Sequence, residues 1–213
     1  MTDEPEGLRA LKKQRTRQAI ADTAIGLFLR NGFDRVSVAE IATAAEVSKP
    51  TLFRYFPTKE ELVLHRMADH LGEAARVVRE RPAPLTPLAA LERHQLERLA
   101  AHDPVTGLCE EPEVLAFMRL VYDTPSLSSH LLDYIGHDID ALAAALAEAL
   151  PGAGALAPRL VAVQFIGVRQ ELARLNWQRL DGGTPVEQAH RLAVAETVEA
   201  VALLRGGAGG RGF

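Results

Sequence analysis

The run SVAEIATAAEVSKPTLFRYFPTK, residues 37–59, decides how this chain folds. Ser37 with Glu40 three residues later is a reciprocal capping box, in which a hydroxyl and a carboxylate each satisfy an otherwise orphaned backbone amide. A short helix therefore begins here and carries Val38, Ile41, Ala42 and Ala45 inward. It cannot run past Val47, because Ser48 is the cap of a second short helix. That helix tolerates Pro50, since its first turn needs no amide donor there, buries Leu52 and Phe56, and ends at Pro57. Lys49, Thr51, Arg54 and Tyr55 are left facing outward. Two short capped helices joined by a tight turn have helix-turn-helix spacing. A helix that enters the major groove needs polar side chains at its N-terminal end for base edges and a cationic periphery for phosphates, and both are present.

Outward from this core the helical period continues almost unbroken. The preceding helix should start near Leu11, place Ile20, Ala24, Leu27 and Phe28 on one face, and stop at the Asn31-Gly32 cap, after which Phe33 folds back. Downstream, Thr58 and Glu61 form a further capping box that opens a long fourth helix running to about Arg81, on the order of 35 Å at 1.5 Å per residue. Pro82-Ala83-Pro84 stops it. Further helices are expected near 87–101, 112–123, 126–150, 156–180 and 185–204, separated by Asp103-Pro104, Thr124-Pro125, Pro151-Gly152 and Gly182-Gly183. No segment alternates as a half-buried strand would, so the fold class is all-α: an N-terminal three-helix domain at 9–66, a larger helical bundle at 67–205, and a Gly-rich tail at 206–213 expected to be disordered.

Composition sets the frame. With 213 residues and 47% hydrophobic content, the chain can bury a core without staples. Its single cysteine, Cys109, excludes an intramolecular disulfide and fits a reducing cytosol. No stretch approaches the roughly 18 apolar residues of a membrane span, and Met1 to Gly7 is acidic where a signal peptide would be basic, so a cytoplasmic protein with no membrane partner is expected. The net charge of -4 hides a division: Arg9 to Lys59 carries ten basic and four acidic residues, whereas from Glu61 onward 14 basic residues face 20 acidic ones. A cationic head precedes an anionic body.

The residues Gly32-Phe33, Ser37-Val38-Ala39-Glu40-Ile41-Ala42 and Val47 through Leu62 closely resemble the DNA-binding domain of TetR/AcrR-type regulators. The resemblance covers roughly the first third of the chain; the rest resembles the family only in being helical. It implies a transcriptional regulator, with repression as the usual mode, in which the third helix reads the major groove, the fourth links to a ligand-binding domain, and the last two helices build the dimer. Carried over by position, Lys49, Pro50, Thr51, Phe53 and Arg54 would face the groove, and Ser37, Thr43, Ser48, Tyr55 and Lys59 would hold phosphates. The chemistry agrees: Arg54 or Lys49 can pair with guanine O6 and N7, and the Thr51 methyl or Pro50 ring suits a thymine methyl. Where many relatives have glycine in the turn, this chain has Glu46, which is strained if that position needs positive φ.

In the larger bundle, Phe117, Met118, Tyr122, Tyr134, His137, Phe165, Arg169 and Trp177 offer apolar walls with a few polar handles, as pockets for small-molecule effectors do. His137 and Arg169 stand out, since a buried polar group needs a partner that a ligand could supply; either could instead be exposed or salt-bridged. The last two helices place small residues (Ala162, Gly167, Ala173, Ala189, Ala193) among Val163, Ile166, Val194, Val198 and Val201, a surface for close helix approach. A homodimer through them would present paired recognition helices to a palindromic operator with half-sites one DNA turn apart, roughly 34 Å. Neither cofactor nor metal is expected, and no catalytic residues are assigned. Two rivals remain: a helical protein-interaction module that never touches DNA, and a small hydrolase using Ser126, Ser128, Ser129, His130, Cys109 or the carboxylates Asp138 and Asp140 beside His137.

Overall fold

The computed structural model describes residues 4–68 and 70–207, and within them every regular element is a helix. In chain order these are α1 (Glu4–Asn31), α2 (Val38–Ala44), α3 (Lys49–Tyr55), α4 (Glu61–Ala68), α5 (Glu73–Glu80), α6 (Pro87–Ala100), α7 (Pro112–Asp123), α8 (Pro125–Ala149), α9 (Leu156–Asp181) and α10 (Val186–Gly206), with single 3₁₀ turns at Pro104–Thr106 and Pro151–Ala153. The chain divides into two compact units, residues 1–69 with 116–131, and residues 70–115 with 132–213. Most of the expected Gly-rich tail, from residue 208, lies outside the described residues.

In the first unit α1 packs on α2 and α4, and α2 on α3. One face of α1 buries Ile20, Ala24 and Phe28, while Leu27 is only half-buried. The helix stops where expected: Gly32 takes φ 85°, and its amide donates to the Phe28 carbonyl at 2.8 Å. Phe33 then returns onto Phe28, with ring centroids 4.9 Å apart. The start is different. α1 begins at Glu4 rather than near Leu11: Pro5 is tolerated in a first turn, and the good helix formers from Leu8 to Arg15 carry the helix back past Gly7. In the turn after α2, Glu46 adopts φ 53°, the left-handed conformation that makes a glycine preferable there.

The expected long fourth helix is two helices. After α4 the chain turns through His70, Leu71 and Gly72, and Gly72 takes φ 72°. The break is held from far away in the sequence: the Gly72 amide donates to Oδ1 of Asp138 at 2.8 Å, and the other Asp138 oxygen accepts from Arg169 at 2.5 Å. Glu73, the first residue of α5, is buried among His70, His94 on α6 and Arg98 on α6, with Arg98 donating to it at 2.9 Å. Those neighbouring imidazoles, together with the guanidinium, hold its carboxyl far below the ordinary carboxylate range.

The second unit has two apolar clusters. In one, Ala74, Ala75 and Val78 of α5 and Leu91 of α6 meet Leu142, Ala145 and Leu146 of α8 and Ala162, Phe165 and Ile166 of α9. In the other, Leu99 and Leu108 meet Leu180, Ala189 and Ala193. Gly107, at φ 76°, lets the Pro104–Thr106 turn approach α9 so closely that a Cβ there would lie 2.0 Å from the Ala173 carbonyl oxygen. Asn176 secures the contact by donating to the Thr106 carbonyl at 2.9 Å. No described helix is long and apolar enough to cross a membrane.

Two stability predictions follow from these local geometries. Glu46→Gly should stabilise the chain by about 0.5–1 kcal/mol, a rise in Tm of roughly 1–4 °C at this size, measured by thermal unfolding; a lower Tm would assign the Glu46 side chain a stabilising contact instead. Glu73→Gln should cost about 2–3 kcal/mol at neutral pH, because it leaves Arg98 and two imidazoles around an uncharged amide. Since the folded carboxyl titrates below its ordinary value near 4.5, the stability it contributes is present above that value and is lost as pH falls beneath it. The gap between denaturant titrations of the two proteins should therefore begin to narrow as pH falls through about 4.5 and go on narrowing well below it; a gap independent of pH would contradict the assignment.

Candidate nucleic-acid interface

The helix with an outward polar edge is α3. Ser48 caps it: the Ser48 hydroxyl accepts the Thr51 amide at 3.2 Å, and the Ser48 and Thr51 hydroxyls lie 2.8 Å apart. Leu52 and Phe56 are 1% and 0% exposed and pin one face inward. The opposite face presents Lys49, Pro50, Phe53 and Arg54 to solvent, with Thr51 and Tyr55 half-buried at its margins. Phe53 is 46% exposed, so it is a surface side chain and not part of the core. The Arg54 guanidinium lies 5.6 Å from the centroid of the Tyr55 ring, a cation–π contact that restrains its direction.

The capping box before α2 is complete. Ser37 accepts the Glu40 amide at 3.2 Å, and Glu40 accepts the Ser37 amide at 2.7 Å. The Ser37 backbone donor, with the Ser37 hydroxyl, holds the Glu40 carboxyl below its usual range. Thr43 is exposed on α2, its hydroxyl donating to the Ala39 carbonyl at 3.0 Å. Lys59 is placed differently from the outward position expected of it. Its ammonium donates to the Phe33 carbonyl at 2.5 Å and lies 4.3 Å from the Phe33 ring centroid, stitching the segment after α3 to the loop before α2.

One cationic element escaped the sequence reading. Lys12, Lys13 and Thr16 of α1 line an open groove of about 400 Å³ together with Arg54 and Tyr55 of α3. The signal was there, a run of cations from Arg9 to Arg17 without an acid, but a helix started near Leu11 hides how far that run projects.

The residues expected to line an effector pocket are placed as follows. Phe117, Met118 and Tyr122 lie on α7 in the first unit, where the Arg66 guanidinium is 5.8 Å from the Phe117 ring centroid. Tyr134 and His137 on α8, and Phe165, Arg169 and Trp177 on α9, belong to the second. His137 is exposed, so the argument from a buried polar group does not apply to it. Arg169 is salt-bridged to the buried Asp138. The Trp177 indole N–H donates to the Leu115 carbonyl at 3.3 Å, and Phe165 sits in the apolar cluster of α5, α6, α8 and α9.

Three of the groups named as candidates for a hydrolytic centre have structural partners. The Ser128 hydroxyl donates to the Val121 and Tyr122 carbonyls, Asp138 clamps the Gly72 turn, and Asp140 pairs with Arg159. Among the described residues no group of three or more His, Cys, Asp or Glu side chains could hold a metal ion.

Comparison with known proteins agrees with this geometry. The profile for bacterial regulatory proteins of the tetR family matches residues 20–65, which hold the buried face of α1, all of α2 and α3, and the start of α4. The HTH-type transcriptional regulator TcmR of Streptomyces glaucescens is 36% identical over 135 residues, 59% of this chain and 56% of that protein, so the chain spans about half the length of this curated relative. Among solved structures, NalD, the secondary repressor of the MexAB-OprM multidrug efflux pump in Pseudomonas aeruginosa, superposes with a TM-score of 0.58 at 15% identity over 88% of this chain and 97% of its own. The regulator FadR from Bacillus subtilis, solved in complex with stearoyl-CoA, gives 0.50 at 19% identity over 89% and 98%. These relatives are named as transcriptional regulators or repressors. Through residues 20–65, the segment built around α2 and α3, the chain is similar to bacterial regulatory proteins of the tetR family.

Proposed function

We propose that this protein is a transcriptional repressor that binds a palindromic operator as a homodimer and is released by a small-molecule effector. The observation that carries the reading is the solvent edge of α3: Lys49, Pro50, Phe53 and Arg54 exposed together on a capped helix whose other face is fixed by Leu52 and Phe56. Groove-facing roles go to Lys49, Pro50, Thr51, Phe53 and Arg54, and phosphate contacts to Ser37, Thr43, Ser48 and Tyr55, with the inward Lys59 contributing through charge. Repression accords with the likeness to NalD, a repressor.

Dimerisation through α9 and α10 is supported by what those helices leave uncovered. Leu156, Leu160 and Val163 follow one another at i, i+4 and i+7 on α9 and are 69%, 47% and 42% exposed; Leu192 and Val198 on α10 are 40% and 45% exposed. Large apolar side chains repeated on one helix face are costly in water and suit a self-complementary interface. Of the expected effector contacts, Tyr134, His137, Phe165, Arg169 and Trp177 share the second unit, and the effector would be held by some of these. A differential affinity for two packings of the bundle worth about 1–3 kcal/mol would change operator affinity roughly 5- to 150-fold.

Selection of bound duplexes from a random pool tests the reading. The wild-type chain should enrich a two-fold symmetric site, and Arg54→Ala should bind that site about 1–3 kcal/mol more weakly per half-site with relaxed preference at one base pair. A pool that returns no enriched sequence would overturn the reading. The interface is tested separately by sedimentation: Val163→Glu with Val198→Glu, both at exposed positions, should convert a micromolar dimer to folded monomer, because each charge is counted twice across a two-fold axis. A variant that remains dimeric would place the interface elsewhere.

A further inference from the structure

We propose that the projecting first turns of α1 form a second DNA-contact surface, in which Lys12 and Lys13, across the groove from Arg54 and Tyr55, hold the phosphate backbone flanking the segment that α3 reads. The proposal rests on the DNA-binding reading and adds to it an element outside the capped helix pair.

Three observations carry it. The first is isolation. From Leu8 to Ala19 every side chain whose burial is described is exposed except Thr16, which is half-buried; core burial begins at Ile20. Three turns of helix without tertiary packing are marginal in water, so this stretch is stabilised little by the fold that carries it. The second is charge. Between Leu8 and Ala21 the sequence LRALKKQRTRQAIA holds Arg9, Lys12, Lys13, Arg15 and Arg17 and no acid. Arg17 is used locally, 5.2 Å from the centroid of the Phe56 ring, but among the described residues no carboxylate pairs with Lys12, Lys13 or Arg15. Elsewhere on the surface exposed arginines do find acids, as Arg66 does with Asp22 and Arg79 with Glu148. Unpaired like charges crowded on one helix repel each other until a polyanion neutralises them.

The third observation is placement. Lys12, Lys13 and Thr16 share one open groove with Arg54 and Tyr55, so the α1 cations continue the surface of the reading helix instead of standing apart from it. Arg54 is one of two outward cations of α3, with Lys49, and its guanidinium is steadied by Tyr55 at the wall of that groove. A phosphodiester strand passing Arg54 enters the groove and meets Lys12 and Lys13 next. Leu8 to Ala19 spans about 18 Å at 1.5 Å per residue, the length of roughly five base pairs at 3.4 Å each. The element can therefore follow the backbone for half a turn beyond the bases α3 reads. Lysines on a helix face touch phosphates without reading sequence, so this surface contributes affinity and salt dependence and leaves base preference to α3.

The experiment compares the wild-type chain with Lys12→Gln/Lys13→Gln on the duplex that the wild type selects, measuring Kd from 50 to 200 mM salt. Each lysine that neutralises a phosphate contributes about 0.9 to the slope of log K against log salt, so the double variant should lose about 1.8 per reading head. The wild type would then lose roughly 12-fold more affinity than the variant across that range for each head engaged, while the order of preference among duplexes stays the same. Arg93→Gln, an exposed cation on α6, should leave the slope unchanged. An unchanged slope in the lysine variant, with selective binding intact, overturns this proposal alone. Lysine-dependent sedimentation with anionic vesicles and an unchanged DNA slope would assign the surface to membranes and also overturn it. Failure of the wild-type chain to select any duplex would instead overturn the reading beneath it.

Discussion

A seven-residue helix has no claim to exist by itself in water, and the burial of Leu52 and Phe56 is what makes α3 a fixed object. Taking two such side chains out of water is worth about 1.5–3 kcal/mol each, and the Ser48 cap adds about 1 kcal/mol. Those terms exceed the cost of nucleating two turns, but only while α2 packs on α3 and the His65 ring of α4 and the Arg17 side chain of α1 lie against Phe56. Lys59 belongs to the same arrangement. By bonding the Phe33 carbonyl and lying against its ring, it ties the chain leaving α3 to the chain entering α2. The outward edge of α3 inherits its direction from these inward contacts.

What was legible in the sequence follows from whether its cause is local. The Ser37/Glu40 box, the Ser48 cap with Pro50 in the first turn, and the Gly32 stop each depend on residues within four positions, and each occurs where the chemistry places it. Glu46 is similar: a carboxylate where the turn asks for φ above zero was visible in advance as a strained position. The break between α4 and α5 was not legible, because a lone glycine in a helical pattern is ordinarily tolerated. Its cause is Asp138, 66 residues away, which accepts the Gly72 amide and is itself held by Arg169. Only the fold brings that carboxylate to that amide. For the same reason the chemical interest of Arg169 was visible while its partner was not. His137, one residue before Asp138 on α8, points to solvent because adjacent helical positions lie about 100° apart.

Charge is distributed with the same division of labour. In the anionic second unit the buried acids are enclosed by side-chain partners, Glu73 by the His70 and His94 imidazoles and the Arg98 guanidinium and Asp138 by Arg169, so their charges are consumed in holding the fold. On the cationic first unit Lys12, Lys13, Lys49 and Arg54 stand outward with no acid partner among the described residues. Charges left unpaired on a surface contribute little to stability and a great deal to the attraction of a polyanion. This division supports the proposal that the amino-terminal third meets a polyanionic partner.

The central claim is that α3 presents its solvent edge to base pairs, and a solved structure of the chain on its selected duplex tests it most directly. In that complex the side chains of Lys49 and Arg54 should lie within hydrogen-bond distance of major-groove base edges, once in each half-site, with Leu52 and Phe56 still buried beneath them. A complex in which α3 faces solvent while the duplex is held by some other surface would contradict it.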